Sequence, residues 1–267
     1  MRRIVVMLAF VLVAGVWPAA PAVARGATAT QPTAANDVQA DFNNDGADDL
    51  AVGVPGEDIG GIRDAGAVNV LYGSTAGVTG TGSQLFTQVG GTVETDDVFG
   101  GVLTAGDFNH DGFADLAAAA PFEDIGGIRD AGAVSVLYGS AGGLTRTGAQ
   151  LFTQVGGTVE TDDLFGFALT AGDFNHDGFA DLAAAAPFET VGSVGGAGAV
   201  SVVYGSAAGL SRTGAQLFTQ NSSGVPGSAE PGDFFGGVLA AGAPQPSTAP
   251  ASLSGSSSSA HRTAASR

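Results

Sequence analysis

The chain has no cysteine and no lysine, a single tryptophan, and nine arginines as its whole positive charge. Without cysteine there is neither a disulfide staple nor thiol chemistry. Without lysine the phosphate-cradling pattern G-x-x-x-x-G-K cannot occur, and no G-x-S-x-G elbow is present. The histidines are His110, His176 and His261, and no catalytic constellation forms around them. The chain therefore reads as non-enzymatic. Against the 9 arginines stand 26 acids, a net charge of −17, which argues against nucleic acid or an anionic membrane and for cations.

Long apolar runs are scarce too. The one from Ile4 to Trp17 follows Met1-Arg2-Arg3 and is short for a membrane span. With Ala22-Val23-Ala24 as a small-x-small cleavage site it reads as a secretory signal over 1–24, with export and a mature start at Arg25. Residues 25–36, rich in Ala, Thr and Pro, read as a flexible leader.

What the chain has in abundance is glycine, 44 residues, and acids gathered at regular intervals. Three nine-residue stretches share the pattern D-x-N-x-D-G-x-x-D: Asp41 to Asp49, Asp107 to Asp115 and Asp173 to Asp181, each starting 66 residues after the last. Oxygen side chains at positions 1, 3, 5 and 9 of a tight loop converge on one point, and hard cations such as Ca²⁺ take six to eight oxygens. The glycine at position 6 permits the turn, and the carbonyl at position 7 supplies a further oxygen. The expected ligands are Asp41, Asn43, Asp45, Ala47 (by its carbonyl) and Asp49 in the first loop. In the second they are Asp107, Asn109, Asp111, Phe113 (carbonyl) and Asp115, and in the third Asp173, Asn175, Asp177, Phe179 (carbonyl) and Asp181. About three structural Ca²⁺ sites result. Asp48 is an extra acid expected to face solvent, and His110 and His176, at position 4, should point outward. Phe42, Phe108 and Phe174 should pin the loops to the core. Position 12 is Val52, Ala118 or Ala184, so the bidentate Glu and exiting helix of an EF-hand are missing.

After each loop comes an apolar run ended by Pro55, Pro121 or Pro187, which reads as a buried strand. In the second unit four short strands are expected: Phe99 to Thr104, Asp115 to Ala120, Gly132 to Tyr138 and Gln150 to Gln154. The second is nearly all alanine, a helix former, but proline after four such residues and the surrounding glycines favour strand. Val134, Val136 and Tyr138 should share one face, with Ala133, Ser135 and Leu137 on the other. Leu85 to Glu123 differs from Leu151 to Glu189 at only three positions, so the units arose by duplication. Four strands per repeat, none able to bury its own face, point to antiparallel β-propeller blades in an all-β chain.

Phe99-Gly100, the loop 107–115, Ala119-Ala120-Pro121 and Gly132-Ala133-Val134 resemble the FG-GAP repeat. That repeat builds the N-terminal β-propeller of integrin α-subunits and many bacterial secreted proteins. In the family the calcium loop joins a blade's first two strands, as the order here requires. The resemblance divides the chain into repeats over 37–98, 99–164 and 165–234, with the start of a fourth at 235–242. The fourth opens Phe235-Gly236 and then gives Ala243-Pro-Gln-Pro where Asp-Phe-Asn is due, so 243–267 reads as a disordered or frameshifted tail. Three repeats and a fraction do not close a ring, and exposed blade faces would favour self-association. The resemblance implies a secreted module for extracellular binding or adhesion, with a protein or glycan ligand. The alternatives are the propeller appendage of a secreted phospholipase-type hydrolase, whose catalytic domain these residues lack, or a truncated product. Arg63 and Arg129, in the repeated loop Ile-Gly-Gly-Ile-Arg-Asp, are expected to pair locally with Glu57, Asp58, Glu123 or Asp124.

Overall fold

A computed structural model describes residues 40–242. The signal, the leader, the first residues of repeat 1 and the 243–267 tail lie outside the described residues. Those described are all β, in eleven strands forming three antiparallel sheets of three, four and four strands. The first sheet holds β1 (Leu50–Val54), β2 (Ala67–Tyr72) and β3 (Thr79–Phe86). The second orders β4 (Val102–Gly106), β5 (Asp115–Ala120), β6 (Ala133–Tyr138) and β7 (Thr145–Phe152). The third repeats that order with β8 (Leu169–Gly172), β9 (Asp181–Ala186), β10 (Ala199–Tyr204) and β11 (Ser211–Phe218). Each sheet is a meander whose consecutive strands are neighbours, and β4 lies beside both β1 and β8. These are blades of an incomplete propeller.

The alanine run is a strand, as expected, and its small side chains have a reason. All six residues of β5 are buried. Ala117 and Ala119 pack into the core shared with the third sheet, while Leu116, Ala118 and Ala120 enter the core shared with the first. A strand buried on both faces between closely stacked sheets has room for methyl groups, and the bulk comes from Phe42, Phe108, Phe99 and Phe165, all essentially inaccessible. β6 alternates as its pattern requires: Val134, Val136 and Tyr138 face one core and Leu137 the other. Ser135 lies with the second face, its hydroxyl donating to the Val89 carbonyl and accepting from the Val89 amide.

Two strands start three residues or more from where they were expected. Phe99–Gly101 form a turn and β4 starts only at Val102. Val98 and Gly100 both have positive φ (51° and 82°), and Gly100 sits so close to the Ala67 carbonyl and Val68 that a side chain would collide. The turn lets the Gly100 amide reach the Ala119 carbonyl at 2.8 Å. At the other end, the strand expected over Gln150 to Gln154 is β7, which starts at Thr145 and ends at Phe152. The β6–β7 register shifts between Val136 and Tyr138, and Gly148 (φ 74°) lies within the bulged stretch.

Candidate functional site

The second and third loops each begin at the end of one strand and run into the next, so the β4–β5 hairpin carries Asp107 to Asp115 and β8–β9 carries Asp173 to Asp181, while Asp41 to Asp49 leads into β1, the first described strand. The first aspartate acts as an acceptor across the turn. Asp107 Oδ1 takes the Asp111 amide at 3.1 Å and Oδ2 the Gly112 amide at 3.0 Å. Asn109 Oδ1 also accepts from the Asp111 amide, and Asp111 Oδ1 accepts from Phe113 at 3.0 Å. The other two loops repeat this pattern: Asp41, Asn43 and Asp45 hold the amides of Asp45, Gly46 and Ala47, and Asp173, Asn175 and Asp177 those of Asp177, Gly178 and Phe179. These bonds require the chain to reverse at positions 4 and 6, where His110 (φ 55°) and Gly112 (φ 88°) are left-handed. The structure thus brings the oxygens of positions 1, 3 and 5 onto one short arc.

Position 9 is different. Asp49, Asp115 and Asp181 are buried, and each binds two backbone amides. Asp115 Oδ2 accepts from Phe108 at 2.8 Å and Oδ1 from Gly139 at 2.9 Å. Asp49 holds Phe42 and Gly73 in the same way, and Asp181 holds Phe174 and Gly205. Burial pushes the Asp115 carboxyl up to about 7; the two amides oppose this, while Asp107 and Asp111 add to it. Asp49 and Asp181 are raised for the same reasons. Asp107 and Asp111 lie near enough for their charges to repel that of Asp115, although both Asp115 oxygens are held by backbone amides and the three acids of a loop are not drawn within 4.8 Å of one another. An all-oxygen donor set with this mutual repulsion fits a hard divalent cation.

The flanking residues are also settled. Asp48 is exposed. His110 is exposed and meets the Phe179 ring edge-on at 5.6 Å between centroids. Phe42 and Phe108 are fully buried beneath their loops, whereas Phe174, in the last described blade, is 43% exposed. Successive loops are stitched together, since the Asp41 carbonyl accepts from Ala114 and the Asp107 carbonyl from Ala180, both at 3.0 Å. The arginine pairing differs from expectation. Arg63 pairs with Asp64 and with Asp96 at 2.6 Å, and Arg129 with Asp130 and with Asp162 at 2.5 Å. Asp58 and Asp124 instead accept the amides of Asp64 and Asp130. The arginines therefore tie a blade's loop to the linker that leads into its neighbour.

A second acidic feature was not anticipated. Glu94, Asp97 and Glu123 bring carboxylate oxygens within 4.8 Å of one another, and Glu160, Asp163 and Glu189 do the same. Burial pushes Glu123 up to about 7 and Asp97 to about 6, with the neighbouring acids adding to the rise; Glu189 and Asp163 move the same way. A raised acid holds its proton more tightly in the folded state, so this source of stability is greatest below the unfolded value near 4.5 and fades as pH rises through about 7. In chelator, the protein should be more stable at pH 5.5 than at pH 7.5 by roughly 2 kcal/mol from Glu123 alone. Urea denaturation at the two pH values checks this, and equal midpoints would refute it.

A family model described as FG-GAP repeat matches residues 38–71, 99–137 and 165–203. Phosphatidylinositol-glycan-specific phospholipase D of Rattus norvegicus is 35% identical over 155 residues, covering 56% of this chain and 18% of that protein. The Homo sapiens protein of the same name is 33% identical over the same length. Integrin alpha-5 of Xenopus laevis is 31% identical over 152 residues, 53% of this chain and 13% of the integrin. The chain thus spans less than a fifth of the length of these relatives. With turn, loop and sheet in the expected order in the second and third units, three stretches of this chain match the FG-GAP repeat.

Proposed function

We propose that this chain is a calcium-stabilised propeller module of a secreted protein, non-enzymatic, that displays its loops for extracellular binding or adhesion to a protein or glycan. The observation that carries the reading is the common arc of oxygens in three stitched loops. Asp107, Asn109, Asp111 and Asp115 hold one Ca²⁺, with Asp41, Asn43, Asp45 and Asp49 and then Asp173, Asn175, Asp177 and Asp181 holding the others, and the carbonyls of Ala47, Phe113 and Phe179 completing each shell. The ion neutralises three neighbouring carboxylates and fixes the hairpin that joins a blade's first two strands. The only histidines among the described residues, His110 and His176, lie on separate loops and offer no base beside a nucleophile. Similarity to integrin alpha-5 supports the binding role.

A second reading is favoured by the phospholipase D similarity, which covers 155 residues: the propeller accompanies a hydrolase domain and serves to place it on its substrate. Both readings keep the calcium loops. Isothermal titration of Ca²⁺ into the chain tests them, with Asp107→Ala expected to lower saturation by one equivalent and leave the remaining sites intact. Identical isotherms for the two proteins would overturn the loop assignment.

A further inference from the structure

The cluster of Glu94, Asp97 and Glu123 stands apart from the calcium loops. The linker between β3 and β4 supplies Glu94 and Asp97, and the β5–β6 loop supplies Glu123 just past Ala120. Asp115 opens β5 and Ala120 closes it, so loop and cluster occupy opposite ends of one strand. Glu123 is 1% exposed and its Oε2 has no hydrogen-bond partner. Gln88, 6% exposed, lies against Glu123 and draws its carboxyl down, yet neither its Oε1 nor its Nε2 makes a hydrogen bond of good geometry. Its amide is turned toward the cluster: a Cβ placed on Gly91 would collide with both Gln88 Nε2 and Glu123 Oε1. Asp97 Oδ2 accepts from the Glu94 amide at 2.5 Å.

Among the described residues no ion pair reaches these acids; Arg146 donates to the Thr87 and Gln88 carbonyls and Arg212 to the Thr153 hydroxyl. Arg63 and Arg129 are committed to Asp64, Asp96, Asp130 and Asp162. Burying several carboxylates together beside an unsatisfied amide is unfavourable unless something positive joins them. The next repeat has the same arrangement. There Glu160, Asp163 and Glu189 gather, Glu189 Oε2 and both ends of Gln154 lack partners, and Gly157 leaves the space between them.

We propose that each cluster is a second, buried class of divalent-cation site, for Ca²⁺. Glu94, Asp97 and Glu123 supply carboxylate oxygens and the Gln88 amide turns to present Oε1; Glu160, Asp163, Glu189 and Gln154 do so in the next repeat. With only oxygen donors and neither sulfur nor imidazole, the set suits Ca²⁺ over zinc. The ion would sit where the linker from one blade crosses the loop of the next, clamping the seam at the end remote from the loops.

The test is Ca²⁺ titration of the full chain against the Glu123→Gln/Glu189→Gln double variant, at pH 7.5. Glutamine keeps the shape and removes a buried charge, so this variant should fold. The expected result is a saturation lower by two equivalents than that of the unaltered chain, with the loop sites retained; Asp107→Ala, which probes the loops, should lower it by one. Gln88→Leu should weaken one cluster site by roughly tenfold or more. The same stoichiometry in the double variant and the unaltered chain would overturn the proposal. So would a double variant that gains stability in chelator with its Ca²⁺ isotherm unchanged, because the clusters would then hold a shared proton only. Loss of the one loop site in Asp107→Ala is read separately, so a failure here leaves the loop assignment standing.

Discussion

Chelating calcium should lower the stability of this protein by on the order of 4 kcal/mol through the three loops, and its melting temperature by about 10 °C. Extracellular calcium modules bind at roughly 10⁻⁴ to 10⁻³ M. At about 1 mM free Ca²⁺ and a Kd of about 0.1 mM, binding to the folded state alone contributes about 1.4 kcal/mol per site. Each loop holds three carboxylates that repel one another in the absence of a cation, as the upward pull of Asp107 and Asp111 on Asp115 shows. Mg²⁺, which demands a tight octahedral shell and dehydrates reluctantly, should restore little of the loss. Melts in Ca²⁺, in EDTA and in EDTA with excess Mg²⁺ decide it. The same transition in all three would leave the loops as plain turns, and full recovery in Mg²⁺ would contradict the calcium preference.

The loops and the strands they feed were legible because their logic is local. D-x-N-x-D-G places its oxygens by bonds to amides two to five residues away, and the pattern of β6 follows from its own alternation. The alanine strand was harder. Helix propensity pointed the wrong way, and only the flanking Pro121 and glycine-rich surroundings favoured the extended form that two buried faces then require. The strand ends were missed where positive φ and a bulge decide them. Gly100 turns within the stretch Phe99 to Thr104 that was expected to extend, and Gly148 lies in β7 ahead of the expected start at Gln150.

Contacts between blades were the illegible part. Arg129 was matched to acids a few residues before it, but its long-range partner, Asp162, lies 33 residues on. Gln88, Glu94 and Asp97 reach Glu123 only once a linker crosses the neighbouring blade. The signal was present in a weak form: Gln, Glu, Asp and Glu recur at the same four places in the second copy. Near-identity of the two units concealed it, because every residue recurs there.

Within a loop the acids do not have equal roles, and Asp115→Ala should show it by destabilising the chain by about 4 kcal/mol even when no calcium is present. Asp115 is 0% exposed, and its two oxygens are the acceptors for the Phe108 and Gly139 amides. Removing them leaves two buried donors without partners, at about 1–3 kcal/mol each. Those bonds pin the start of the loop and the end of β6 to one point, so water cannot replace the acceptor without opening the core around Phe108. Asp107, by contrast, serves amides on the solvent side of the turn, where water substitutes readily. Asp107→Ala should therefore lose under about 1 kcal/mol in EDTA, and its defect should emerge on adding Ca²⁺ as a missing share of the stabilisation. Asp115→Asn should fall between the two, since the amide oxygen keeps one donor satisfied while its NH₂ faces the other. Chemical denaturation of the three variants in EDTA and in Ca²⁺ separates the roles. Equal stabilities of Asp115→Ala and Asp107→Ala in EDTA would mean that position 9 is a metal ligand alone and not the clamp between loop and blade.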